Sequence, residues 1–200
     1  MTIPRVFSGK GEKSIATYDY TDIDEGFGYV NYSGFIAESP AADYLMTRQL
    51  NFTSKMQVNV GAGGNIDVDT PIFNITKNIS GNAVFQVSYE LTNAAASDNA
   101  RPTITLYKYN ATDGEVAMSS TISGPLLSGS GAGIQTDRTA TIYVPLTDTK
   151  IKKGDIIRAT IGNTGNNTMV MNMSPYNLGT TVTNANHTKF IIAIPSKLIL

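Results

Sequence analysis

Cysteine and tryptophan are absent from the 200 residues, and histidine occurs once. Without cysteine there is no disulfide, no thiolate metal site and no cysteine nucleophile. A zinc site needs several His or Cys ligands, and a lone histidine does not supply them. Charge is scarce as well, at 16% of residues against a usual ~25%. The signs nearly balance, with 15 basic and 16 acidic residues. No basic stripe is present to grip phosphates, so no nucleic-acid partner is expected. No window of about 18 apolar residues exists, so neither a transmembrane helix nor a membrane partner is expected. The opening MTIPRVFSGKGEK has no apolar centre and does not read as a signal peptide. An apolar period of about 3.6 residues is also missing, which argues against amphipathic helices.

Thr, Asn, Ser and Gly fill the space that charge leaves. Short strand-like runs recur at intervals of roughly 8–15 residues, with turn residues between them. The clearest is NAVFQVSYELT, Asn82–Thr92, where Phe85, Val87, Tyr89 and Leu91 alternate with Val84, Gln86, Ser88 and Glu90. One face of that strand is core and the other is partly polar. KMQVNV, Lys55–Val60, alternates and stops at GAGGN, while TITLYKY, Thr103–Tyr109, runs into a turn carrying Asp113-Gly114. Toward the end come TATIYVP, the corner at Gly154-Asp155, the strand IIRATI and the closing FIIAIP. About eight to ten strands follow, an all-β antiparallel sandwich or barrel whose last strand returns to the middle of a sheet. Residues 1–13 read as an N-terminal arm and residues 14–200 as one domain.

No set of residues assembles a catalytic site by spacing. His187 lies in a loop with no G-x-S-x-G before it, so a solvated histidine is the simpler reading than a triad member. Asp19, Asp22, Asp24 and Glu25 form an oxygen-rich run that fails the EF-hand register. They read as an acidic turn, with a calcium site of another kind left open. Asp67 and Asp69 share one strand face and read as an exposed rim. SGKGEKS and SGSGAG lack the spacing and flanking elements of a phosphate loop. Eight N-x-[ST] triplets are explained by the Asn, Ser and Thr content. Tyrosine is the commonest aromatic, and Tyr18, Tyr20, Tyr29 and Tyr32 fall within the first 32 residues. A tyrosine buries area while keeping a polar tip, so these four are candidate interface residues.

From Asn82 onward the chain resembles the tumour-necrosis-factor/C1q-like jelly-roll superfamily. The resemblance is carried by AVFQVSYELT, by TITLYKY, by VPLTDTKIKKGDIIRATI and by FIIAIP. It places Ile151, Gly154, Asp155, Ile156 and Ile157 at the corner before the penultimate strand. Phe190, Ile192 and Ile194 fall in the closing strand. The first 80 residues exceed the family's usual length, and YDYTDIDEGFGYVNYSGF is similar to structural proteins of tailed viruses. The resemblance implies an antiparallel jelly-roll β-sandwich, a homotrimer and a non-enzymatic virion protein without cofactor: a capsid decoration, cement, minor capsid or fibre-head protein that packs on a major capsid protein. The alternative is an attachment module binding a host-surface glycan or receptor through loop residues such as Tyr176, Asn177, Asn184 and Asn186.

Overall fold

The structure, a computed structural model, describes residues 27–37, 43–48, 57–91, 95–131, 136–172 and 190–198. Among them the chain forms fourteen strands and no helix. The first four are β1 (Phe27–Ala37), β2 (Asp43–Thr47), β3 (Gln57–Val60) and β4 (Asn65–Asp69). β5 (Lys77–Leu91) is long, and β6 (Asn99–Ala100) is a two-residue strand. β7 (Pro102–Asn110) and β8 (Gly114–Ala117) form a hairpin, followed by the short β9 (Ile122–Ser123) and β10 (Leu127–Ser128). β11 (Thr136–Ile151), β12 (Ile156–Asn163), β13 (Met169–Asn172) and β14 (Phe190–Leu198) complete the order. The expected arm at residues 1–13, His187, the acids from Asp19 to Glu25, Tyr18, Tyr20 and the loop residues from Tyr176 to Asn186 lie outside the described residues.

β5 organises the larger layer. It pairs with β11 on one edge and with β14 and then β13 on the other. β14 pairs onward with β1, and β1 with β2. The second layer is β4, β12, β7 and β8, all antiparallel. The layers are continuous through β2 and β4, which meet in parallel at Leu45 and Asp69. That contact departs from the all-antiparallel expectation, and the strand number exceeds it because short edge strands carry little sequence signal. The architecture is a β-sandwich. Val30, Ile79 and Ile194 of one layer close on Ile157 of the other, with Phe73, Tyr32 and Lys77 around them.

The alternation in β5 decides what is buried. Phe85, Val87, Tyr89 and Leu91 are fully enclosed, as are Ile104, Leu106, Ile157 and Ile161 of the second layer and Ile192 of the adjacent β14. Each such side chain contributes roughly 1.5–3 kcal/mol of transfer free energy. Phe85 meets the Phe190 ring edge-on at 5.2 Å. The strand starts five residues before the expected Asn82 because it continues through Gly81 (φ 102°). There the ladders to β11 and β14 both shift register, so the chain bends where sequence punctuation suggests a break.

The corner before β12 is built as a tight turn. Asp155 N–H donates to the Lys152 carbonyl at 3.1 Å, and Gly154 (φ 95°) takes the left-handed position that a Cβ would strain. The Asp155 carboxylate, nearly fully buried, accepts from Lys152 N–H at 2.7 Å and Asn110 Nδ2 at 2.9 Å. Gly154 and Asp155 also exchange backbone bonds with Phe73, tying this turn to the chain entering β5. β13 intervenes between β12 and the closing β14, so the corner leads into the strand two before the last described one.

Asn163, 1% exposed, holds three loops together at one end of the sandwich. Its Nδ2 donates to the carbonyls of Val60 at 3.1 Å and Asn167 at 2.7 Å, and its Oδ1 accepts from Arg101 N–H at 3.1 Å and Gly165 N–H at 2.9 Å. Asn163→Ala leaves buried backbone groups without partners and should cost about 3 kcal/mol. Urea unfolding measures this; an unchanged midpoint would mean the loops hold without the carboxamide.

Candidate functional site

The sandwich has two outer faces of opposite character. On the β4–β12–β7–β8 layer, Arg158 is clamped. Its Nε and Nη2 each donate to Asp69 at 2.7 Å, and Nη1 donates to Glu115 at 2.8 Å. Asp67 lies 3.7 Å from Nη1, and the Tyr109 ring sits 4.4 Å from the guanidinium carbon. The hydrogen bond to Asp69 raises the Arg158 pKa above its ordinary value, partial burial opposes that, and Glu115 and Asp67 add to it. The guanidinium is spoken for, and Asp67 also accepts from Thr160 Oγ1 at 2.6 Å. This is where the expected acidic rim at Asp67 and Asp69 stands. It is an ion-paired lattice, and its Arg158 is a residue that spacing did not single out. Among the described residues no group of three or more His, Cys, Asp or Glu is placed to hold a metal ion.

The outer face of the β11–β5–β14–β1 layer carries almost no charge. The register aligns Tyr143, Val84, Ala193 and Asn31 in one row, and Thr141, Gln86, Ile191 and Ser33 in the next. Ser88 and Thr139 bond through their hydroxyls at 2.8 Å one row further on. Glu90, largely buried and accepting from Gln57 at 3.0 Å, Arg48 beside β1 and the exposed Lys150 near the end of β11 are charged residues among the described positions of this side. Tyr143 and Tyr29 are 65% and 57% exposed, two of the most exposed large apolar side chains of the described chain. A groove of about 610 Å³ crosses β1, β14 and β5, lined by Tyr29, Asn31, Ser33, Arg48, Val84, Gln86, Ile191 and Ala193.

The structure separates the candidate interface tyrosines. Tyr29 stands on this face at the groove. Tyr32 is three positions on and points to the opposite side of β1, where it is 5% exposed in the core. Its role is therefore packing, a correction that the two-residue period of the strand dictates. Tyr143 carries no interface signal in composition, because its neighbours in TATIYVP suggest a core strand; its alternation with the buried Ile142 and Val144 is the signal that marks it as outward. Gly154 and Asp155 serve the corner described above.

No family model matches this sequence, and no curated protein sequence matches it. Solved structures share the fold. A CocE/NonD family hydrolase from Staphylococcus aureus superimposes with a TM-score of 0.59 at 8% identity, over 86% of this chain and 37% of the hydrolase. An alpha-amino acid ester hydrolase gives 0.51 at 6% identity, over 84% of this chain and 36% of that one. An aminopeptidase from a marine sediment Thaumarchaeota archaeon gives 0.51 at 7%, over 82% and 36%. The chain thus spans about a third of the length of the enzymes it resembles. The Eiger TNF of S. frugiperda is 14% identical with a TM-score of 0.39, over 86% of this chain and 94% of that one. These neighbours correct the expectation of a protein unconnected with enzymes: hydrolases carry this fold. Identities this low establish the fold and nothing of the activity.

Burial pushes the Tyr32 phenol up to about 12, with the positive charge of Arg48 opposing. In the unfolded chain the same group titrates near its ordinary ~10. Its contribution to stability is complete below pH 10 and disappears as pH climbs toward 12. Burial raises Tyr89 in the same direction, against Arg138 and Arg101. Tyr32→Phe should keep about 2–3 kcal/mol of the stability the native chain loses across that interval. Denaturant unfolding at stepped alkaline pH reads this out, and coincident profiles for the two proteins would refute it.

Proposed function

We propose that this chain is a self-associating β-sandwich structural protein, a homotrimer that packs beside its neighbours on a larger assembly such as a virus particle. The observation that carries the reading is the contrast between the two outer faces. Charge sits on the β4–β12–β7–β8 side, fixed in pairs around Arg158. The β11 side presents Thr139, Thr141, Tyr143 and Pro145, all exposed and uncharged. Depletion of charge with exposed aromatic surface is what the centre of a protein interface needs. β11 is 16 residues long, and among the described residues its ladder partner is β5 alone, so the strip lies at the margin of the layer. A margin is where a neighbouring copy has access. The TNF/C1q-like resemblance favours threefold closure over an open chain. A stable contact of this kind buries roughly 800 Å² per partner.

A second reading draws on the hydrolases, in which a region of this fold makes up about a third of the enzyme. Here the neutral face would seat against a catalytic region. Ester hydrolysis by the purified chain, or by the complex it recovers, would favour this reading over the first.

Native mass measurement at micromolar concentration should find three copies. Tyr143→Glu places a charge in the strip and should shift the mass to one copy. It should leave stability within about 0.5 kcal/mol, because the side chain is exposed. A single-copy mass for the unaltered protein would overturn the reading.

A further inference from the structure

We infer that the groove across β1, β14 and β5 is a binding site for a neutral saccharide, a short run of hexose units. This goes beyond self-association, because the groove and the Tyr143 strip occupy different strands of the face. At about 610 Å³ it falls within the roughly 300–1,000 Å³ of small-molecule sites.

Its lining matches the chemistry of a sugar ring. Val84, Ile191 and Ala193 form an apolar floor, contributed by the central strand and its neighbour. Tyr29, 57% exposed, offers an aromatic ring at the β1 side. The electron-rich face of such a ring attracts the C–H bonds on the apolar side of a pyranose. Asn31, Ser33 and Gln86 add two carboxamides and a hydroxyl. Each of these groups both donates and accepts, as sugar hydroxyls do. Ser33 and Gln86 flank Ile191 in one row, two strand spacings or ~10 Å apart. That separation suits hydrogen bonds to both ends of a ring lying across β14.

The same features disfavour other occupants. Among the described lining residues none is a carboxylate and Arg48 is the charged one, which disfavours a cation there. An extended peptide adding as a strand needs an open edge, and β14 is laddered on both sides by β1 and β5. An uncharged ligand rich in hydroxyls fits what remains.

The test is an array of neutral gluco-, galacto-, manno- and xylo-oligosaccharides, followed by calorimetric titration of the hits. At least one should bind; Tyr29→Ala and Gln86→Ala should each weaken it roughly tenfold. Tyr143→Ser, outside the groove, should not affect binding. Circular-dichroism melts confirm that the variants fold. An array without neutral hits, or binding that survives both groove substitutions, would overturn the site. A change in native mass on Tyr29→Ala, with no saccharide bound, would instead make the groove a contact between copies. Loss of the trimer on Tyr143→Glu with saccharide binding intact separates this inference from the assembly reading.

Discussion

The register of β5 is the constraint on which the rest of this sandwich depends. β11 follows it along one edge and β14 and β13 along the other, so three partners take their alignment from one strand. Side chains alternate with period two, and a slip of one residue would exchange Phe85, Val87 and Tyr89 for Gln86, Ser88 and Glu90. The first set lies in the core; the second points the other way, Gln86 into the groove and Ser88 and Glu90 into buried polar contacts. Core and outer surface are therefore fixed together. Val84 and Gln86 reach the groove because Phe85 fills the core, and no rearrangement of one leaves the other in place. The Tyr89 hydroxyl reinforces the setting by donating to the Pro125 carbonyl at 2.6 Å, which pins the segment between β9 and β10 against the sandwich.

The distribution of charge has a physical logic of its own. Arg158 has three carboxylates and a ring around it while remaining partly solvated. Partly exposed pairs add little stability individually, and a bidentate network adds more because its geometry is already ordered. The single guanidinium offsets part of the repulsion among the three carboxylates and holds them in a fixed geometry. The opposite face carries little charge and presents amides and hydroxyls that exchange partners at low cost. A surface of that second kind can change occupants without stranding a buried charge. The two faces differ both in charge and in how much each must give up when something covers it.

Much of the sandwich was legible in local alternation. The inward and outward sets of β5, the hairpin after Tyr109 and the corner at Gly154-Asp155 follow from period two and turn chemistry, and they stand where those rules put them. What alternation does not carry is pairing between distant segments. Nothing around Gly81 signals that the strand bends and continues, because the partners that hold it there, β11 and β14, lie far along the chain. Tyr32 was misplaced for a related reason: composition groups it with Tyr29, while strand geometry sends the two to opposite faces. The groove was invisible to sequence, since its walls come from three strands separated by residues 38–76 and 92–189.

Solved hydrolases that share the fold at 6–10% identity show that this sandwich does not depend on one particular sequence. Any such pair of layers must satisfy the inward alternation, because apolar side chains have few other ways to leave water. Function has to be sought in what the fold leaves free. On this chain the freedom is exercised unevenly. One outer layer is committed to internal ion pairs, and the other presents exposed Tyr29 and Tyr143 among amides and hydroxyls. Exposing a large aromatic side chain to water is unfavourable, and doing so twice on one neutral face is hard to reconcile with solubility as the only demand. The free energy withheld there becomes available when a partner or ligand covers the rings, and the capacity of this face to bind resides in that difference.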